Sequence, residues 1–404
     1  MLISSQTIIP TSAYIHIPFC RRRCYYCDFP ISVIGDKGGK SASFMMEEYI
    51  AALIKDIRLT TSTKQPIKTI FFGGGTPSLL SPPELAQIIR AIALQFGIAT
   101  DAEISMEIDP GTFNRGRLKG YLDAGLNRFS LGVQTFDREL LKVCGRSHTL
   151  DDVTEAVNII KQLDVDNFSL DLISGLPHQT LENCQTSLAK AVAIAPKHLS
   201  CYDLVLEPVT AFGKQYQPGE TPLPDDDDTA EMYRLTQQTL TAAGYQHYEV
   251  SNYSQPGYQC RHNRVYWEDQ PYYGFGMGAA SYVNDKRFTR PRTRREYYSW
   301  LDAGAIIDAP EMTATDHLLE TLMLGLRLAE GVDTAQFEPD TLQKIWKCLQ
   351  PYHRQGWIEV IGENTKLINS NQIDLSSVTK IRLNDPEGFL FSNTILATLF
   401  EKLE

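Results

Sequence analysis

The sequence predicts an α/β protein: a partial (β/α)6 barrel, then an irregular extension, then a small α+β, winged-helix-like C-terminal domain. Three observations carry this prediction. Strand-like and helix-like runs alternate at roughly 30 to 40 residues over the first 250 positions, the pattern of parallel βαβ units. Residues 251–300 are dense in tyrosine, glycine and arginine and lose periodicity. From Thr313 onward helical spacing returns and gives way to short strand-like runs. The boundaries that follow are 1–250 for the barrel, 251–312 for the extension and 313–404 for the C-terminal domain.

Taken in order, residues 13–17 read as a buried strand ending in a cysteine-rich loop. Residues 31–43 are rich in Gly, Ser and Lys and read as an exposed loop, and residues 44–60 have helical apolar spacing. Residues 67–72 are β-branched and aromatic, hence a strand, broken by Gly73-Gly74-Gly75-Thr76-Pro77. Ser81-Pro82-Pro83-Glu84 opens the next helix with a cap and N-terminal prolines. The same alternation predicts strands at 103–108, 128–133, 167–173 and 198–204, with helices near 114–124, 137–143, 151–163, 180–193 and 225–243. Residues 247–250 read as a last strand. About six units fit before residue 245, fewer than a closed eight-unit barrel needs. The run Asp225 to Asp228 suits a helix N-terminus, where carboxylates meet the positive end of the macrodipole. Further on, helices are expected at 316–328, 341–350 and 391–403, with strands at 356–360 and 380–383.

The composition, 43% hydrophobic and 22% charged over 404 residues, is that of an ordinary globular protein. A net charge of −11 argues against a general nucleic-acid binder, which shows a basic face. No apolar run approaches the ~20 residues of a membrane span, and residues 1–13 show no signal peptide. Peripheral membrane contact stays open. Eight cysteines, five of them scattered singly, do not form a secreted disulfide framework. A cytoplasmic location is expected.

The cysteine loop reads Tyr14-Ile15-His16-Ile17-Pro18-Phe19-Cys20-Arg21-Arg22-Arg23-Cys24-Tyr25-Tyr26-Cys27-Asp28-Phe29. Three thiolates in a CxxxCxxC spacing can hold three irons of a [4Fe–4S] cube and leave the fourth open to a small chelating ligand. Structural zinc usually takes four protein ligands, and no fourth cysteine or histidine follows closely. Three unrelated structural cysteines are the alternative. The stretch resembles the signature of the radical S-adenosylmethionine (SAM) superfamily, with Cys20, Cys24 and Cys27 as cluster ligands. YIHIPFC followed by CYYCDF resembles the branch that holds oxygen-independent coproporphyrinogen dehydrogenases and HemW-type haem chaperones.

Glycines at 73–75 let a ligand approach the backbone closely, and polar residues stand at the ends of successive predicted strands, where chemistry sits in such barrels. The resemblance implies SAM contacts from Gly74, Gly75 and Thr76 in GGGTP, from Glu107, Gln134, Arg146 and Asp171, and from the flanking Tyr14 and Tyr26. Arg146 could make a bidentate pair with the SAM carboxylate. The implied chemistry is one-electron cleavage of the SAM S–C5′ bond by a reduced cluster, which needs an electron donor. The cofactor carries the hard step and the protein positions it, so no side chain is assigned as catalytic.

Two departures separate this chain from the decarboxylating dehydrogenases. They carry a further cysteine two places after the third ligand, where this chain has Phe29, and a longer N-terminal extension than the 19 residues before Cys20. Both features resemble HemW. His262-Asn263-Arg264-Val265-Tyr266-Trp267 matches the HNxxYW motif of HemW-type proteins and implies haem handling, with His262 as candidate ligand and Cys260 as a second. The alternative is a histidine that stabilises a loop beside core aromatics. Lys286, Arg287, Arg290, Arg292, Arg294 and Arg295 could pair haem propionates or an acidic acceptor, or form a solvated face with local ion pairs. His16 could orient the cysteine loop. The function expected is a haem chaperone passing haem to an acceptor haemoprotein; the alternative is oxygen-independent coproporphyrinogen III dehydrogenase.

Overall fold

A computed structural model describes residue 2 and residues 9–36, 39–368 and 373–403. Positions 37 and 38 of the predicted 31–43 loop, and most of the first eight residues scanned for a signal peptide, lie outside the described residues. Six parallel strands follow chain order across the main sheet: β1 (Ser12–Ile17), β2 (Ile67–Gly74), β3 (Ile98–Ile108), β4 (Arg128–Gln134), β5 (Phe168–Ser174) and β6 (His198–Asp203). The helices between them are α1 (Lys40–Leu59), α2 (Pro82–Phe96), α3 (Arg115–Asp123), α4 (Arg138–Val143), α5 (Leu150–Gln162) and α6 (Leu181–Ile194), with α7 (Asp226–Ala242) after β6. Ser81, Thr149 and Thr180 each close a capping box, which starts the helices where the sequence predicts. Asp225 caps α7 by accepting from the Asp228 N–H at 2.8 Å, so the acidic run serves a helix end.

The strands alternate between two environments because successive side chains point to opposite faces. Ala13, Ile15, Ile70, Phe72, Ile104, Met106, Phe129, Leu131, Leu170 and Leu199 belong to one apolar core with the helices. Their neighbours Tyr14, His16, Phe71, Glu107, Arg128, Ser130, Asp171 and Ser200 line the inner face of the sheet. A polar interior and an apolar exterior thus share the same strands.

The stretch expected to be irregular contains regular elements. β7 (Gln246–Glu249) is antiparallel to β8 (Asn252–Ser254), which is antiparallel to β6, so the last barrel strand turns into a hairpin. β9 (Tyr273–Phe275) pairs in parallel with β1 at the opposite edge. The short helix α8 (Arg261–Trp267) lies across the early residues of β3, where Glu103 accepts from the His262 N–H at 3.2 Å and the Arg261 N–H at 3.3 Å. A hairpin of Ala280–Val283 and Lys286–Thr289 leads to α9 (Arg294–Asp302).

This segment is pinned to the barrel by a buried ion pair. Asp56 on α1 accepts from Arg290 Nε at 2.7 Å, Arg290 Nη2 at 3.0 Å, Tyr297 Oη at 2.8 Å and the Gly276 N–H at 3.1 Å. Both charges lie out of solvent, so each depends on the other and on these extra bonds.

The C-terminal region has its own apolar core. α10 (Ala314–Gly325), β10 (Val332–Asp333), α11 (Pro339–Arg354), β11 (Ile358–Gly362), β12 (Val378–Leu383) and α12 (Ser392–Leu403) form it. Its three strands are antiparallel with β12 central. Arg234 on α7 grips Glu387 through two bonds, at 2.7 and 3.0 Å, and joins this core to the barrel. Among the described residues no helix is long and apolar enough to cross a membrane.

Replacing Asp56 by alanine leaves Arg290 buried and unpaired, and the expected loss is about 3–5 kcal/mol. Adding Arg290→Met should recover a large part of it, as read from urea midpoints of the single and double variants.

Candidate functional site

The cysteine loop leaves β1 at Ile17 and is held from below by the glycine turn. Gly75 N–H donates to the Ile17 carbonyl and Thr76 N–H to the Phe19 carbonyl, both at 2.8 Å. A Cβ on Gly75 would come within 2.8 Å of those same two carbonyl oxygens, and one on Gly74 (φ +109°) would fall on the His16 ring. Glycine is therefore required by close approach at both positions, and at Gly74 also by the backbone angle. His16 Nε2 bonds the Pro30 carbonyl at 2.9 Å and its Nδ1 meets Tyr14 Oη at 3.1 Å. Burial holds its pKa down at about 4. The neutral ring thus fixes the end of the cysteine loop.

Cys20, Cys24 and Cys27 face a cavity of about 460 Å³ together with Gly74, Gly75 and Thr76. Thr76 Oγ1 donates to Cys20 Sγ at 3.6 Å. Burial pushes the Cys20 thiol up to about 12 and raises Cys27 as well, so a cationic partner is needed to make them thiolates. All eight cysteines are free. Among the described residues no three histidine, cysteine or acidic side chains converge on a point suited to one metal ion. A cube, by contrast, takes each sulfur on a separate corner.

The strand ends complete the cavity. Glu107, Gln134 and Asp171, predicted from sequence at strand ends, line it, as does Tyr26; Arg146, grouped with them in the sequence, lines it too but stands in the loop between α4 and α5. Glu107 accepts from the Gly74 N–H at 3.1 Å. Burial first, and then the nearby Asp171 carboxylate, push its pKa up to about 8. Asp171 accepts from Ser130 Oγ at 2.9 and 3.1 Å. Gln134 sits at φ +69°, beside a register shift between β4 and β5. That unusual angle in a non-glycine residue at a strand end is a mark of functional sites.

Arg146 holds Asp109 at 2.6 Å and the Gly132 carbonyl at 3.1 Å through Nη2. Through Nη1 it reaches Cys24 Sγ and Tyr26 Oη, both at 3.4 Å. Of its three nitrogens, Nε is the one without a partner among the described residues. In this conformation the guanidinium is committed to Asp109 and the loop, and the bidentate face expected for a cofactor carboxylate is taken. Sequence reasoning does not single out Asp109. A signal for it exists: it follows Glu107 by two residues, one place past the end of β3, and so continues the alternation that points Glu107 inward.

Tyr14 and His262 line a second cavity, of about 470 Å³, that shares Glu107, Ser130, Asp171, Tyr202 and Phe29 with the first. His262 is fully buried. Its Nδ1 bonds Thr69 Oγ1 at 2.8 Å and its Nε2 bonds Tyr266 Oη at 2.9 Å, with the ring stacked on Phe71. Burial lowers its pKa to about 3. Both nitrogens are engaged, so a metal could reach Nε2 only once Tyr266 moves. Cys260 does not line this cavity; its thiol points at Glu103, 3.8 Å away. The basic run is largely paired internally: Arg287 with Asp269 and Glu320, Arg290 with Asp56, Arg292 with Asp28 and Lys286 with Glu311.

Comparison with known proteins places this architecture. Residues 14–191 match the radical SAM superfamily and residues 312–367 the HemN C-terminal domain. The chain is 49% identical over 405 residues to the haem chaperone HemW of Synechocystis, covering 98% of each. The chain belongs to the HemW family of the radical SAM superfamily. It is also 39% identical over 332 residues to HemW of Escherichia coli, covering 81% of this chain and 85% of that one. The solved structure of E. coli coproporphyrinogen III oxidase (HemN) superposes with a TM-score of 0.80 over 97% of this chain and 90% of that one, at 22% identity. That likeness establishes the fold. Superfamily membership accounts for a cavity that joins a three-cysteine loop to a glycine turn and polar strand ends.

Two outcomes test this geometry. Gly75→Ala should force the turn away from the cysteine loop, and iron and sulfide bound per chain after anaerobic reconstitution should fall well below wild type. Between its ordinary value of 4.5 and about 8, Glu107 keeps a proton in the folded chain that the unfolded chain has lost. The contribution of Glu107 to the stability of the ligand-free protein should therefore decline as pH rises from about 5 to 8, and the stability difference between wild type and Glu107→Gln in urea titrations should change by that amount over the same range.

Proposed function

We propose that this chain is a haem chaperone that holds haem beside a [4Fe–4S] cluster and SAM and passes it to an acceptor haemoprotein. Cys20, Cys24 and Cys27 would hold the cluster, and the donor set fits: three thiols on one loop, open to a cavity whose described lining includes no fourth cysteine. SAM would lie along Gly74, Gly75 and Thr76, with Glu107, Gln134 and Asp171 as partners for its polar groups. When bound, these groups supply one-electron chemistry at the sulfonium. The chain's own part is positional. Arg146, held by Asp109, brings positive charge to Cys24, and the neutral His16 keeps the loop on its glycine bed. Phe29, 57% exposed, stands at the mouth shared by both cavities.

The observation that carries the haem reading is the second cavity. It is walled by Tyr14, Phe71, Tyr266 and Tyr272, flat apolar surface for a porphyrin, and His262 and Asn263 of the HNxxYW motif lie in it. Its continuity with the cysteine cavity supports a haem held next to the cofactor. The HemW relatives, named as haem chaperones, support the same reading. An electron donor for the cluster and reduced, cytoplasmic surroundings belong with this proposal.

Haemin added to the purified chain should give a saturable Soret shift, and His262→Ala should weaken binding by about tenfold or more. Absence of any saturable shift in the wild type would refute the haem reading. Coproporphyrinogen incubated anaerobically with the reconstituted protein, SAM and a reductant should remain unchanged; decarboxylated product would establish the dehydrogenase instead.

A further inference from the structure

Arg128, the first residue of β4, is 2% exposed, yet its guanidinium makes no hydrogen bond or ion pair among the described residues. Nε is buried without a partner, and the side chain helps to line the aromatic cavity. The carboxylates that act on its charge, Glu103 and Asp171, are occupied elsewhere. Glu103 accepts from the Arg261 and His262 N–H groups that open α8, and Asp171 accepts from Ser130. An arginine has five donors in a rigid fork, and a charge buried without partners is costly. Nearby on the same face, His198 and Ser169 bond to one another at 2.8 Å, as do Thr69 and His262. The histidines of the polar floor are thus partnered, whereas Arg128 and its register neighbour Ser105, whose Oγ is also buried without a partner, are not among the described residues.

We propose that Arg128 is a receptor for a carboxylate carried by a flat aromatic ligand, the ring lying between Tyr14, Phe71, Tyr266 and Tyr272. On the function proposed above, on which this assignment of the ligand rests, the carboxylate is a haem propionate. The planar fork matches a carboxylate through two parallel bonds. Arg128 lines the aromatic cavity and not the cysteine cavity that adjoins it.

The test uses the full chain and two ligands, haemin and its dimethyl ester, with Arg128→Met and Arg128→Lys. Wild type should bind haemin about tenfold more tightly than the ester. Arg128→Met should bind both alike, and Arg128→Lys should retain part of the preference. Because Met removes an unpaired buried charge, the melting midpoint of Arg128→Met should equal or exceed that of wild type. A preference that survives in Arg128→Met, or a midpoint that drops sharply in both variants, overturns the inference in favour of a structural arginine. Naphthoate separates the two proposals: it should raise the midpoint of wild type but not of Arg128→Met. If naphthoate discriminates while haemin fails to bind wild type, the haem reading falls and the carboxylate site stands. If naphthoate does not discriminate, the carboxylate site falls whatever haemin does.

Discussion

Two backbone hydrogen bonds, from Gly75 N–H to the Ile17 carbonyl and from Thr76 N–H to the Phe19 carbonyl, set the position of everything at the mouth of the barrel. They join the end of β2 to the start of the cysteine loop at a distance no side chain could share. Once they form, Cys20 lies beside Thr76, His16 packs on Gly74, and the Gly74 N–H reaches Glu107. One contact between neighbouring strands therefore links the sulfur ligands, the glycine bed and the first acidic strand end. The loop itself is short and charged and could not hold that geometry alone.

The inner face of the sheet is unusually polar for a parallel sheet, whose strands are commonly apolar on both faces. Most of the cost is offset locally, by Ser130 on Asp171, Ser169 on His198 and Thr69 on His262. Glu103 is met by the first N–H groups of α8, while Arg128 Nε and Ser105 Oγ keep no partner among the described residues. The extension thus contributes hydrogen bonds to the barrel floor as well as lining the second cavity. Charge is handled in the same way: Arg290, Arg287 and Arg292, which look like a basic patch in the sequence, direct their charge to Asp56, Glu320 and Asp28.

Much of the fold is legible in the amino-acid sequence. The period of the βα units predicts six parallel strands in chain order, and Ser81 signals a helix start because capping is a local event. The cysteine spacing and GGGTP mark the site because their chemistry needs neighbours in sequence. Features made by distant partners are the ones that sequence reasoning misses. β9 is three residues long and has no periodicity to detect. Asp109 follows the end of β3 and Arg128 opens β4, but only the fold shows that one grips Arg146 and the other grips nothing among the described residues. From its motif alone His262 reads as available to a metal, whereas the fold engages both its nitrogens with Thr69 and Tyr266.

The place of β1 has a consequence for how the chain comes off the ribosome. β1 emerges among the first residues, yet one of its two sheet neighbours, β9, is more than 250 residues away. Domains generally fold as they are made, amino end first, and pairings this distant in sequence are slow to close. The strand that carries the cysteine loop must wait, half-paired, until β9 has been synthesised. That edge of the barrel is thereby sealed only after the intervening strands have been made.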